Sequence, residues 1–272
     1  MSIGIGSRGI SNGLTDGIGI GRTGVPKQSF DPVDLFRTGR VGAAYAPWDI
    51  STLFQDSAGT TPVTASGDPV GLMLDVSGNG FHATQTTAAS RPLYRFTNGT
   101  HKLEFDGVNN YLAVDTSLYF QNAFTFAASV AFRNIGVLTN QRIFSRWDGV
   151  NDGYLFGPSL PASDARILIR KSAVNTAATF ADSYVADAVV QHTAVWDGSN
   201  EQVIYNGSGG APAAVSAPLA SNSVVNRIGW DEALSATGKM QGDLYGLVLI
   251  DNQLDESVRL RLESFLRSKA GI

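Results

Sequence analysis

The sequence predicts an all-β protein, an antiparallel sandwich or barrel, and three observations carry that expectation. The acidic residues are 19 Asp against 5 Glu and the basic ones 15 Arg against 5 Lys, a balance that suits turns better than helices. Phe124, Phe126, Ala128, Val130 and Phe132 take alternate positions in a run whose other side carries Thr125, Ser129 and Arg133; Val190, His192, Ala194 and Trp196 alternate in the same way. Between such runs stand Asx-Gly pairs, at Asn79-Gly80, Asn98-Gly99, Asp106-Gly107, Asp148-Gly149, Asp152-Gly153, Asp197-Gly198 and Asn206-Gly207, which mark hairpins and loops.

The chain divides into residues 1–44 and 45–272. Eight of the 30 glycines fall within the first 24 positions, and Ile3-Gly-Ile-Gly-Ser-Arg-Gly9 recurs as Ile18-Gly-Ile-Gly-Arg-Thr-Gly24. In an extended segment Ile3 and Ile5, and again Ile18 and Ile20, share one side, with glycine leaving the other open to a second backbone. This reads as an arm laid on a partner rather than as a domain. Alternating Ile and Gly, with Arg8 soon after, leaves no apolar core for a signal peptide, and the run Phe124–Phe132 is half the length of a membrane span.

From Tyr45 onward short strands are expected until the C-terminus, where one helix stands out. Asp255 is its expected cap, Leu254, Val258, Leu262, Phe265 and Leu266 form its apolar stripe, and Gly271 follows its end. Its apolar face is expected on the rim of the sandwich.

Composition excludes several chemistries. With no cysteine there is no thiol nucleophile or thiolate metal site, and a net charge of −4 argues against a general nucleic-acid binder. The arm matches G-x-G-x-x-G twice, but without the strand and helix that a dinucleotide site needs. All four tryptophans precede aspartate, at Trp48, Trp147, Trp196 and Trp230, with gaps of 99, 49 and 34 that fit no propeller repeat. A strand ending in a buried Trp before an Asp turn explains them, Trp196 above all. Asp75-Val-Ser77-Gly-Asn79-Gly80 opens like an EF-hand loop, yet Thr86 stands where the bidentate Glu belongs. A looser calcium site at a loop rim would use Asp148 and Asp152, residues that turn geometry alone also accounts for.

Glu104 and Asp106 are the most enzyme-like pair, since they share a strand face, but Val108 follows where a third acid would stand. His82, His101 and His192 are scattered, with no nucleophile elbow or metalloprotease helix beside them, so a non-enzymatic role is expected. Trp147, Asp148, Asp152 and Trp230, as loop aromatics and acids, are the candidate glycan-binding residues.

Several segments together resemble a known family. Asp75–Thr84, Leu103–Leu112, Phe124–Phe132, Thr193–Gly198 with Val203–Gly207, and Gly242–Ile250 followed by Leu254-Asp-Glu-Ser are similar, in order, to a laminin-G-like, concanavalin A-like sandwich domain. The stretch from Trp48 to Gly71 resembles the lead-in to such domains in tailed-bacteriophage and prophage virion proteins. The resemblance implies an antiparallel jelly-roll of about 14 strands. It also implies a virion protein assembled in the host cytoplasm, of tail, fibre or spike type. In that reading the arm, through Ile3, Ile5, Ile18 and Ile20, docks on other virion proteins or on identical subunits, with a trimer as first expectation, while the sandwich meets a host-surface glycan. The alternatives are a particle-stabilising decoration protein and a glycan depolymerase, although Glu104-Phe-Asp106-Gly-Val108 lacks the last acid of the family's E-x-D-x-E strand. No cofactor, nucleic acid or membrane insertion is expected.

Overall fold

The structure is a computed structural model, and it describes residues 30–133, 140–159, 163–181, 183–231 and 238–272. In chain order the strands open with β1 (Gly42–Tyr45), β2 (Leu53–Phe54), β3 (Leu72–Met73), β4 (Ala83–Thr84), β5 (Leu93–Thr97) and β6 (Thr100–Asp106). They continue with β7 (Leu112–Val114), β8 (Phe124–Phe132), β9 (Phe144–Arg146), β10 (Gly153–Ser159), β11 (Asp164–Lys171) and β12 (Val174–Phe180). The last are β13 (Val189–Trp196), β14 (Asn200–Tyr205), β15 (Ser208–Gly209), β16 (Ala213–Ala214), β17 (Asn226–Ile228) and β18 (Gln241–Ile250), and α1 spans Glu256–Ala270.

Among the described residues these strands make two nine-stranded antiparallel sheets. The first runs β15-β14-β13-β8-β18-β6-β5, with β1 added to β18 and β16 to β14; the second runs β12-β11-β10-β9-β17-β7-β4-β3-β2. The sandwich expected from the sequence is therefore present, built from more and shorter strands than the 14 anticipated. The alternation of β8 sets its core: Phe124, Phe126, Ala128, Val130 and Phe132 join Phe144, Tyr154, Phe156, Trp196 and Leu247 in one cluster between the sheets. Trp196 is fully buried and donates its Nε1–H to the Val215 carbonyl at 2.8 Å, the satisfied-indole arrangement that burial demands.

The other side of β8 departs from the expectation of a solvent face, for Thr125, Ala127, Ser129 and Ala131 are buried as well. Helix α1 lies across them, and Ala127, Val248 and Ile250 pack with Leu254, Leu262 and Leu266. The helix thus covers the outer face of the first sheet instead of its rim. The small side chains of β8 allow this close approach, and Thr125 ties the helix entry down by donating to the Asn252 carbonyl and accepting from the Leu254 amide. Asp255 occupies the N-cap position but makes no side-chain capping bond; Gly271, at φ 78, closes the C-terminus as its sequence position suggested.

Residues 30–44, read in the sequence as the end of the arm, are packed on this same face. Leu35 and Phe36 are buried in the α1 cluster, and Gly42 to Tyr45 pair with Ile250 to Leu247. The EF-hand-like motif serves that attachment. Asp75, 7% exposed, accepts from the Ala44 amide (2.8 Å), the Ser77 amide (2.9 Å), the Ser77 hydroxyl (2.7 Å) and the Phe81 amide (3.1 Å), which stitches β1 to its own loop. Ile3, Ile5, Ile18 and Ile20 lie outside the described residues. No described helix is long and apolar enough to cross a membrane.

Candidate functional site

The second sheet presents a different outer face. Its registers place Thr84, Ala113, Arg227, Ser145, Leu155, Leu168 and Ala177 in one row on the side away from the core. Two aromatic groups flank the centre of that row. β9 and β17 run antiparallel with Ser145 opposite Arg227, so Trp147 follows β9 at one end of the pair and Trp230 follows β17 at the other.

At the Trp230 end the indole packs on Tyr111 with ring centres 4.7 Å apart. The Arg227 guanidinium lies 5.1 Å from the Trp230 ring centre and 5.9 Å from that of Tyr111, and the Lys239 ammonium is 5.9 Å from Trp230. The Ser145 hydroxyl fixes the backbone by donating to the Trp230 carbonyl. The Trp230 Nε1–H has no hydrogen-bond partner among the described residues. At the opposite end Trp147 packs with Leu155 and Leu168, and the Arg170 guanidinium sits 5.7 Å from its ring centre. Trp147 keeps only 8% of its surface exposed, whereas Trp230 is half-buried and offers more of its ring. Such cation-flanked rings suit polar, ring-shaped ligands whose C–H faces stack and whose hydroxyls take hydrogen bonds.

The candidate acids have other duties. Asp148 accepts from the Val150 and Asn151 amides at 2.8 Å; burial pushes its pKa up, but these bonds outweigh it and hold the carboxyl below its usual range. One oxygen of Asp152 accepts from the Ser172 amide at 2.7 Å and the other from the Ala220 amide at 2.8 Å, so this residue clamps two loops together. Beside it Arg146, fully buried, donates to the Thr116 carbonyl (2.9 Å), the Asn222 carbonyl (2.7 Å) and the Asn222 side chain (3.2 Å), and stacks 4.0 Å from the Tyr119 ring centre. No group of three or more metal-ligating side chains occurs among the described residues. Both aspartates suggested for calcium are thus satisfied by backbone amides.

Glu104 and Asp106 are likewise engaged. Glu104 pairs with Arg95 and, at 3.0 Å, with Arg133, which also holds Asp243 at 2.7 Å. Asp106 accepts from the amides of Val108, Asn109 and Asn110. The two form part of an ion-pair network and a turn on the first sheet, not a cleft.

The sequence singles out Trp147 and Trp230 as candidates, and the fold brings Tyr111, Arg227 and Lys239 beside Trp230 and Arg170 beside Trp147, which sequence reasoning did not name. The parity of β7 carries the missing signal for Tyr111: with Leu112 and Val114 in the core, Tyr111 and Ala113 must face outward.

Comparison with known proteins bears on the fold alone. No protein-family description and no curated protein matches the chain. Among solved structures, domain 4 of AbnA, an extracellular arabinanase of Geobacillus stearothermophilus in complex with arabinotriose, superposes with a TM-score of 0.52 at 15% identity, over 82% of this chain and 98% of that one. A GH54 α-L-arabinofuranosidase soaked with a cyclic sulfate inhibitor gives a TM-score of 0.58 at 13% identity over 88% of this chain, which spans 65% of the enzyme's length. An arabinofuranosidase complexed with arabinofuranosyl-α-1,2-xylobiose gives 0.57 with the same identity and coverage. The chain has the two-sheet sandwich that these carbohydrate-handling proteins contain.

Proposed function

We propose that the protein is a non-enzymatic glycan-binding module displayed on a tailed-bacteriophage particle, with the outer face of the second sheet as its binding surface. The observation that carries the binding is the Tyr111–Trp230 stack, flanked by Arg227 and Lys239, on a sandwich like the one solved with arabinotriose bound. Residues of the N-terminal segment, Ile3, Ile5, Ile18 and Ile20, supply the attachment to other virion proteins or to identical subunits. That part rests on the alternation of Ile with Gly and on the likeness of the Trp48–Gly71 lead-in to virion proteins.

The binding test is affinity electrophoresis and calorimetry of the full chain against arabino-oligosaccharides and a panel of bacterial surface polysaccharides. Retention that Trp230→Ala lowers about tenfold or more, with the fold intact, supports the reading. Absence of retention on every glycan overturns it and leaves a purely structural role on the particle. Glycan cleavage abolished by Glu104→Gln would replace binding with depolymerisation. For attachment, a chain lacking residues 2–24 should remain folded and fail to join particles; normal incorporation overturns the anchor.

A further inference from the structure

A second feature, on the opposite side of the molecule, has no part in glycan binding, but it bears on Ile18 and Ile20, which the attachment reading gives to a partner together with Ile3 and Ile5. Between α1 and the segment that leads into β1 lies an open cleft of about 420 Å³. Its floor is Ala44 of β1 and Val248 of β18, and its walls are Phe30, Trp48 and Phe265. The three rings form an edge-to-face chain, with Trp48 5.5 Å and Phe30 6.0 Å from Phe265. Lys269 stands at the rim, its ammonium 5.7 Å from the Trp48 ring centre and 5.1 Å from that of Phe265. The cleft is therefore aromatic and mostly apolar, with Asp31 and Asp49 also in its lining, and open to a segment lying across it.

We propose that this cleft seats Ile18-Gly19-Ile20 of the same chain. Phe30, where the described chain begins, is itself part of the cleft wall, so the N-terminal segment starts at the site. Residues 21–29 separate Ile20 from Phe30, and nine residues reach up to about 30 Å when extended, ample for a return across the cleft. Alternate isoleucines put two aliphatic side chains on one side, and glycine between them lets the backbone come close to an aromatic wall. A tether this short holds the segment at an effective concentration on the order of millimolar, well above that of a second copy in dilute solution, and this selects the intramolecular occupant. Ile3-Gly-Ile5, farther up the chain, then stays available to a partner.

The chain has no cysteine, so one engineered pair reports on its own. Arg22→Cys keeps both isoleucines and lies on their side of an extended segment; Lys269→Cys puts its partner on the rim. Mild oxidation of this full-length double variant should give an intrachain disulfide about tenfold faster than an Arg22→Cys/Val174→Cys control, because a disulfide needs Cα atoms within about 7 Å. Val174 is 64% exposed on the edge of the second sheet. Adding Ile18→Asp and Ile20→Asp should abolish the difference. Equal rates at the two positions overturn the proposal, and so does a disulfide formed chiefly between chains, which assigns the cleft to a second copy. Hydrogen exchange gives a readout free of engineered cysteines. In the native chain the amides of residues 246–249 and 262–269 should exchange several-fold more slowly than in the Ile18→Asp/Ile20→Asp variant, and unchanged exchange likewise overturns it.

Discussion

The outer faces of the two sheets differ in what covers them. On the first sheet, small side chains of β8 admit a whole helix, and Leu262 and Leu266 are fully buried against Ala127, Val248 and Ile250. On the second, no described helix lies over the strands, and the row through Arg227 and Ser145 is flanked by indoles and cations instead. One sandwich thus carries a face packed for stability and a bare face, the one proposed for glycan binding. Thr, Ala and Ser along the outer side of β8 leave room for α1; on the second sheet Tyr111, Trp147 and Trp230 stand just beyond the strand ends, beside Arg227 and Arg170.

If that division is right, damage to the first face should cost folding and damage to the second should cost binding. Leu266→Ala removes a fully buried side chain from under α1 and should destabilise by about 3 kcal/mol in urea unfolding, with ligand affinity per folded molecule unchanged. Arg146→Met, at the loop rim, removes a buried cation with three hydrogen bonds and leaves the Thr116 and Asn222 carbonyls unsatisfied. It should cost about 2 kcal/mol and loosen the loops that Asp152 clamps.

Two buried titratable groups between the faces make stability depend on pH in opposite senses. Burial lowers the pKa of His192 to about 3 from an ordinary 6.5, so the unfolded chain binds the extra proton; stability is full above pH 6.5 and falls as the pH drops toward 3. Burial raises that of Glu201 to about 9 from an ordinary 4.5, against weaker opposing pulls from the Ala178 amide and Arg166. Here the folded state holds the extra proton, so stability is full below pH 4.5 and falls as the pH rises toward 9. Glu201→Gln should therefore raise stability at pH 8 by several kcal/mol and leave the acid-side loss in place, as thermal melts across pH would record. The smallest effect on stability belongs to the proposed binding face. Trp230→Ala, at a half-buried ring, should cost about 1 kcal/mol while lowering glycan affinity, and a larger loss of stability than of binding would erase the contrast.

How much of this was readable beforehand follows from the range of the interactions. The core side of β8, the burial of Trp196 and the extent of α1 depend on local alternation and on Gly271, and they were legible. The covered side of β8 was not, since Thr125 and Ser129 read as solvent-facing residues until Asn252 and Gln191 supply their partners. The aspartates were legible as turn residues: Asp106, Asp148 and Asp197 each gather two or more amides that follow them. Tyr111 and Trp230 meet because β7 and β17 pair, a contact that no spacing in the sequence announces.

The attachment of β1 beside α1 also governs how the molecule can be mounted. Phe30 touches Phe265 and Arg261, so the chain's two described ends emerge on one side, behind the first sheet. A protein immobilised by its C-terminus consequently turns the Trp147 and Trp230 surface toward the solution, and a sensor chip prepared that way leaves the proposed binding face unobstructed.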